Sequence, residues 1–135
     1  YNGHSKAISD HNLVNNTLCQ IDAISTQESG YQATRKLIES GEKFDAIFGA
    51  SDLIALGALN ALIEHGIKVP DDVALVGFDD IPMSAFTSPP MTTAKQNTIL
   101  AGELLVDSLV KLIQGEEVKT LLMPTSLVVR KTCGS

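Results

Sequence analysis

The run Val73-Ala74-Leu75-Val76-Gly77-Phe78-Asp79-Asp80 is apolar through Val76 and then stops at a glycine, an aromatic ring and two carboxylates. Polar and apolar residues do not alternate in it. A strand over these positions is therefore covered on both faces, the condition of a parallel sheet held between helix layers. Each Val, Leu or Phe fully buried there contributes about 1.5–3 kcal/mol, so this strand carries a sizeable share of a small domain's burial. Ligands of such sheets bind just beyond the carboxyl ends of the strands, which is where Asp79 and Asp80 stand. A carboxylate that closes a buried strand must be hydrogen-bonded to something, so the search for function starts at this edge.

On the N-terminal side, Val69-Pro70-Asp71-Asp72 makes the turn into the strand. Before it, residues 53–65 read as a helix capped by Ser51 or Asp52 and ended by Gly66. Its polar residues are few, mainly Asn60, Glu64 and His65, so it has more to bury than one sheet face covers. A well-covered internal helix and a protein–protein interface both satisfy that pattern. Residues 44–50 form a second strand. A helix begins at Ser25 or Thr26, where Ser25-x-x-Glu28 fits a capping box, and runs to about Ser40 with Gly41 as its stop. Residues 17–21 are a short strand candidate and residues 3–12 a helical one.

On the C-terminal side, residues 81–95 show no periodicity and contain Pro82, Pro89 and Pro90, so they read as a long loop of the kind that is functional or binds a partner. A helix follows from about Thr98 to Gln114 with a wide apolar face, and residues 126–130 form the last strand. Helices separate successive strands. The expected fold is α/β: a three-layer α/β/α arrangement on a mostly parallel sheet with right-handed crossovers.

The 135 residues are 44% hydrophobic and 19% charged, which fits one globular domain with a real core. A formal net charge of −6 argues against this segment gripping a phosphate backbone. Cys19 and Cys133 form no Cys-x-x-Cys and read as two thiols in a reducing compartment, with one disulfide as the alternative. No 18-residue apolar stretch is present, so no membrane span is expected. The chain opens at Tyr1 without a methionine and reads as a fragment of a longer protein.

With this topology Ser25, Ser51 and Asp79 converge on one edge, where hydroxyls and a carboxylate suit a small polyhydroxyl or nitrogen-rich ligand. Both serines also read as helix caps, and Asp79 or Asp80 as a partner for backbone in the following turn. Asp79 and Asp80 are neighbours on a strand and point to opposite faces, so they make a poor acid/base pair. His4, His11 and His65 all fall in helices or at helix ends, away from that edge. Gly-x-Gly-x-x-Gly, the Gly-x-x-x-x-Gly-Lys-Ser/Thr phosphate loop and metal-ligand spacing are all missing, so no catalysis, cofactor or metal is expected.

Several motifs stand together in order: Asp45-Ala46-Ile47-Phe48, Ser51-Asp52-Leu53-Ile54-Ala55-Leu56-Gly57-Ala58-Leu59, residues 66–80 ending in Gly77-Phe78-Asp79-Asp80, Pro89-Pro90-Met91-Thr92-Thr93-Ala94-Lys95-Gln96, and Leu127-Val128-Val129-Arg130. In order and spacing they resemble the C-terminal half of the effector-binding core of the lactose/galactose repressor (LacI/GalR) family. The resemblance covers nearly the whole chain. It implies one lobe of a periplasmic-binding-protein-like (type I) fold in a bacterial transcription regulator whose DNA-binding helix-turn-helix lies outside this chain. It also implies a cytoplasmic location and a small sugar-like effector bound between lobes, contacted by Asp79, Ser51, Gln96, Ser25 and Thr98. Ser25 stands where members often carry a stacking aromatic ring, and Thr98 replaces a bulkier residue of some members. Homodimerisation is implied through residues 52–64 and 83–88, with Leu53, Leu56, Asn60, Ile63, Phe86 and Thr87 at the interface. Residues 97–125 are expected to belong to, or cross into, the other lobe, so that an isolated fragment would repack or swap its helix 98–114. The same fold and cleft also serve periplasmic sugar-binding proteins of transporters, which is the alternative reading.

Overall fold

The structure is a computed structural model that describes residues 2–13 and 20–134. In chain order it contains α1 (Asn2–Asp10), α2 (Gln27–Ser40), β1 (Ala46–Phe48), α3 (Asp52–Glu64), β2 (Ala74–Asp79), a 3-10 helix (Pro82–Ala85), β3 (Thr92–Gln96), α4 (Thr98–Ile113) and β4 (Thr125–Val128). The four strands form one sheet in the order β1-β2-β3-β4. β1, β2 and β3 run parallel, and β4 pairs antiparallel with β3. The α/β class and the mostly parallel sheet expected from the sequence are both present. The strand expected at 17–21 lies largely outside the described residues, as does Cys19. Gln20 and Ile21, which are described, are irregular.

The organising strand sits inside the sheet as expected. Leu75 is buried on the side facing α3, where it meets Ala55, Leu56, Ala58, Leu59 and Met91, with Ile47, Val69 and Ile81 packed around them, and Val73 just before the strand is buried too. α2 lies on the outer side of α3, and two glycines set how closely. A Cβ at Gly57 would collide with the backbone of Gln27 and Tyr31, and one at Gly30 with the backbone of Ile54. Only hydrogen side chains let the two helices approach this far. Tyr31 Oη also donates to Glu64 Oε2 at 2.6 Å, tying the first part of α2 to the last residue of α3. Along the β1 edge of the sheet His4 and Ile8 of α1 border an open trough with Ala33 and Leu37 of α2 and with Ile47 and Phe48.

Two expectations change here. α3 is mainly an internal helix between α2 and the sheet, and Leu56 is part of the core, so it is not on an interface surface. Leu53, Asn60 and Ile63 do face outward. The loop read at 81–95 contains the 3-10 helix and all but the last residue of strand β3. Thr92-Thr93-Ala94-Lys95-Gln96 offers no apolar run, which is why its strand was not legible. β-branched threonines nevertheless suit a pleated surface, and the fully buried Thr92 and Thr93 satisfy their hydroxyls across the sheet. Thr92 Oγ1 donates to Cys133 Sγ at 3.2 Å, and Thr93 Oγ1 donates to Asp52 Oδ1 at 2.5 Å. Among the described residues no helix is long and apolar enough to cross a membrane.

Candidate functional site

The carboxyl ends of β1, β2 and β3 lie side by side because the three strands are parallel. Ser51 follows β1. Its hydroxyl caps α3 by accepting from Ile54 N at 3.3 Å, and it also accepts from Ser25 Oγ at 2.7 Å. Ser25 is thus brought to this edge as expected, yet it is not the cap of α2. Thr26 is that cap, accepting from Ser29 N, while Ser29 Oγ in turn accepts from Ile24 N. Thr26 N itself bonds to Ile24 O, so the helix start is capped by Thr26 without the reciprocal bond of a capping box.

Asp79 ends β2 and Gln96 ends β3, and Gln96 Nε2 donates to Asp79 Oδ1 at 2.6 Å. These two residues, far apart in sequence, meet as a bonded pair. Asp79 has φ 123° and Asp80 φ 55°, a left-handed region that costs a residue other than glycine energy and is held only where its surroundings demand it. Thr98 is the exposed first residue of α4. The neighbouring Asn97 caps that helix by accepting from Leu100 N at 3.1 Å.

The two carboxylates of this turn take separate partners. Asp80 Oδ1 accepts from the Arg130 guanidinium at 2.6 Å, and Lys95 Nζ stands 3.4 Å from Oδ2. Arg130 beside it holds the Asp80 carboxyl below the usual carboxylate range against the opposing effect of desolvation, and Lys95 acts in the same direction. Arg130 also donates to Met91 O at 2.7 Å, so it ties the C-terminal end of the chain to the strand-end turn. Its role was not legible in the sequence. An arginine closing the strand 126–130, with two acidic residues at the end of another, was the available signal.

Asp52 was read only as an alternative helix cap. It is 0% exposed. Oδ2 accepts from Ile81 N at 2.9 Å and from Ser84 Oγ at 2.6 Å, while Oδ1 accepts from Thr93 Oγ1. Gly77 makes room for it, because a Cβ there would collide with Asp52 Oδ1. Beyond Asp52, Met83 and Phe86 are exposed, Phe86 being 83% exposed. Thr87 is half-buried, its hydroxyl bonded to the carbonyls of Ser84 and Pro89.

The arrangement offers hydrogen-bonding hydroxyl, amide and carboxylate groups on one edge, which suits orientation of a small polar molecule. Comparison with known proteins places it further. A profile of the periplasmic binding protein-like domain matches residues 1–133. The chain is 35% identical over 134 residues to the HTH-type transcriptional repressor PurR of Histophilus somni, an alignment that spans 98% of this chain and 40% of that protein. Among solved structures it resembles the transcriptional regulator CelR in its cellobiose complex, with a TM-score of 0.88 at 35% identity over 96% of this chain and 40% of that one. It also resembles the Lac repressor dimer bound to operator and the anti-inducer ONPF, with a TM-score of 0.85 at 36% identity over 96% of this chain and 45% of that one. The chain thus spans less than half the length of each of these three proteins.

Proposed function

The chain belongs to the periplasmic binding protein-like domain family, in the branch of the LacI-type transcription regulators, and from that premise we propose that it is the C-terminal lobe of a regulator's effector-sensing core. A neutral sugar or sugar derivative binds between this lobe and a second one. Asp79 and Gln96 take hydroxyls of the ligand, Ser51 and Ser25 fix its other end, and Thr98 stands at the crossover. The observation that carries the reading is the bonded pair Asp79–Gln96 on the same strand-end edge as the bonded pair Ser25–Ser51.

Binding biases the relative position of the lobes and so the way a dimer presents DNA-binding segments outside this chain. The shift is limited by the ligand's difference in affinity for the two states. Leu53, Asn60, Ile63 and Phe86 supply exposed surface for the second copy, with Thr87 shaping the turn beneath. Residues 97–125 cross into the other lobe, which covers the apolar face of α4. The protein performs no catalysis and works in the cytoplasm.

The test is calorimetric titration of the full-length protein with neutral mono- and disaccharides, cellobiose among them. At least one should bind, and Asp79→Ala should abolish its binding while the dimer persists in light scattering. Unchanged sugar binding by Asp79→Ala removes Asp79 from the site. Sequencing the coding region upstream of Tyr1 tests the regulator itself: about 60 residues of helix-turn-helix and hinge are expected, and an export signal would overturn the reading.

A further inference from the structure

Asp52 is a fully buried carboxylate whose three bonded partners, Ile81 N, Ser84 Oγ and Thr93 Oγ1, are all neutral donors. Such a group is normally paired with a cation or strongly hydrogen-bonded, and its place in the first turn of α3 adds the favourable end of the helix dipole. Two of the donors belong to one short segment, the 3-10 helix and its N-cap Ile81, and the third to β3. Thr93 Oγ1 extends the network, since it accepts from Asp80 N at 3.3 Å while donating to Asp52. The carboxylate therefore stands between two arms. One arm runs through Thr93 to Asp80 and the strand-end edge that carries Asp79. The other runs through Ser84 into Pro82–Ala85, where Met83 and Phe86 are exposed. Ser51, bonded to Ser25, is the residue immediately before it.

We propose that Asp52 is a positioning residue that couples the ligand edge to the exposed Met83–Phe86 surface, so that displacement of either is transmitted to the other through one carboxylate. The meaning of the two ends rests on the function proposed above, whereas the coupling itself is a property of the network. If a ligand holds the Asp79 edge and a second copy holds Phe86, both bias the same element, and each then strengthens the other by the same factor.

The test needs no ligand. Amide hydrogen exchange is measured on the full-length protein and on variants that each remove one arm. Thr93→Ala is read at Ser84 and Phe86, and Ser84→Ala at Asp80. Leu75, whose amide is bonded to Thr132 O, and the amides of α2 report on the whole fold. Each variant should speed exchange at the opposite arm about three- to tenfold, with the reporters changing less than about twofold. Thr93→Ser, which keeps the hydroxyl, should restore protection at Ser84 and Phe86. Asp52→Asn should speed both arms together. If that variant does not fold, the single-arm variants still decide. Changes confined to the mutated arm, or acceleration equal at Leu75 and α2, would overturn the proposal. The sugar titration of Asp79→Ala is independent of this measurement, so failure of either is recognised separately.

Discussion

Helices α3 and α4 are both rich in Leu and Ile and of similar length, 13 and 16 residues. Their fates differ. Eight residues of α3 are buried, while α4 buries none and leaves Ile99, Leu105, Leu109, Leu112 and Ile113 facing outward. Apolar content does not separate them. α3 has the sheet on one side and α2 on the other, brought within reach by Gly30 and Gly57. α4 follows β3 out of the sheet and meets neither layer. Burial is thus a property of what a helix is placed against, and an uncovered apolar face of this size is one that a partner ordinarily covers.

The largest effect should come from the covered helix. Leu62→Ala, at a position with no exposure, is expected to cost about 3–4 kcal/mol in urea denaturation, because the fixed surroundings cannot collapse into the space. A cost near zero would mean that α3 is not packed as described. Gly57→Ala comes next. Helix propensity alone favours alanine, yet its Cβ would strike the backbone of α2, so a net loss of about 2 kcal/mol is expected. A stabilised variant would break the close-approach account of why α3 is covered.

A smaller effect distinguishes the strand-end edge from both helices. The pKa of Asp80 is lowered in the folded state, so its contribution to stability is present above the unfolded value of about 3.9 and lost as pH falls through the lower folded value. Urea midpoints measured down through this acid range should fall less steeply for Asp80→Asn than for the unmodified chain. Parallel curves would deny Asp80 this role. The smallest effect is expected on α4. Leu109 is 57% exposed, and Leu109→Ala should change the stability of the 135-residue chain by less than about 0.5 kcal/mol. In the full-length protein the same substitution should cost about 2 kcal/mol or more if another lobe covers this face. An equal and negligible effect in both would leave α4 uncovered and contradict its assignment to the second lobe.

Legibility followed chemistry. β2, α2 and α3 were plain from apolar runs and caps because those signals are local. β3 was hidden, since a strand of threonine, alanine, lysine and glutamine has no apolar signature, and its buried threonines find partners in Asp52, Thr132 and Cys133, far away in sequence. Asp79 and Ser51 were found at strand ends, and Gln96 through the family motif. Asp52 looked like one more acidic residue in a first helical turn. Nothing local reveals that its donors lie 29, 32 and 41 residues further on. Ser25 and Thr26 were equally good caps on sequence, and the bonds from Ser29 N to Thr26 and from Ser25 to Ser51 separate them.

By itself the sequence determined the α/β class, the parallel core strand, the helix limits and the edge where polar groups gather, all of which depend on periodicity, caps and chain order. The tertiary structure decided which apolar helix is covered, how Asp79 finds Gln96, and that the buried Asp52 carboxylate takes its donors from Ile81, Ser84 and Thr93. Those outcomes depend on approach distances and on donors that meet only after the strands have paired.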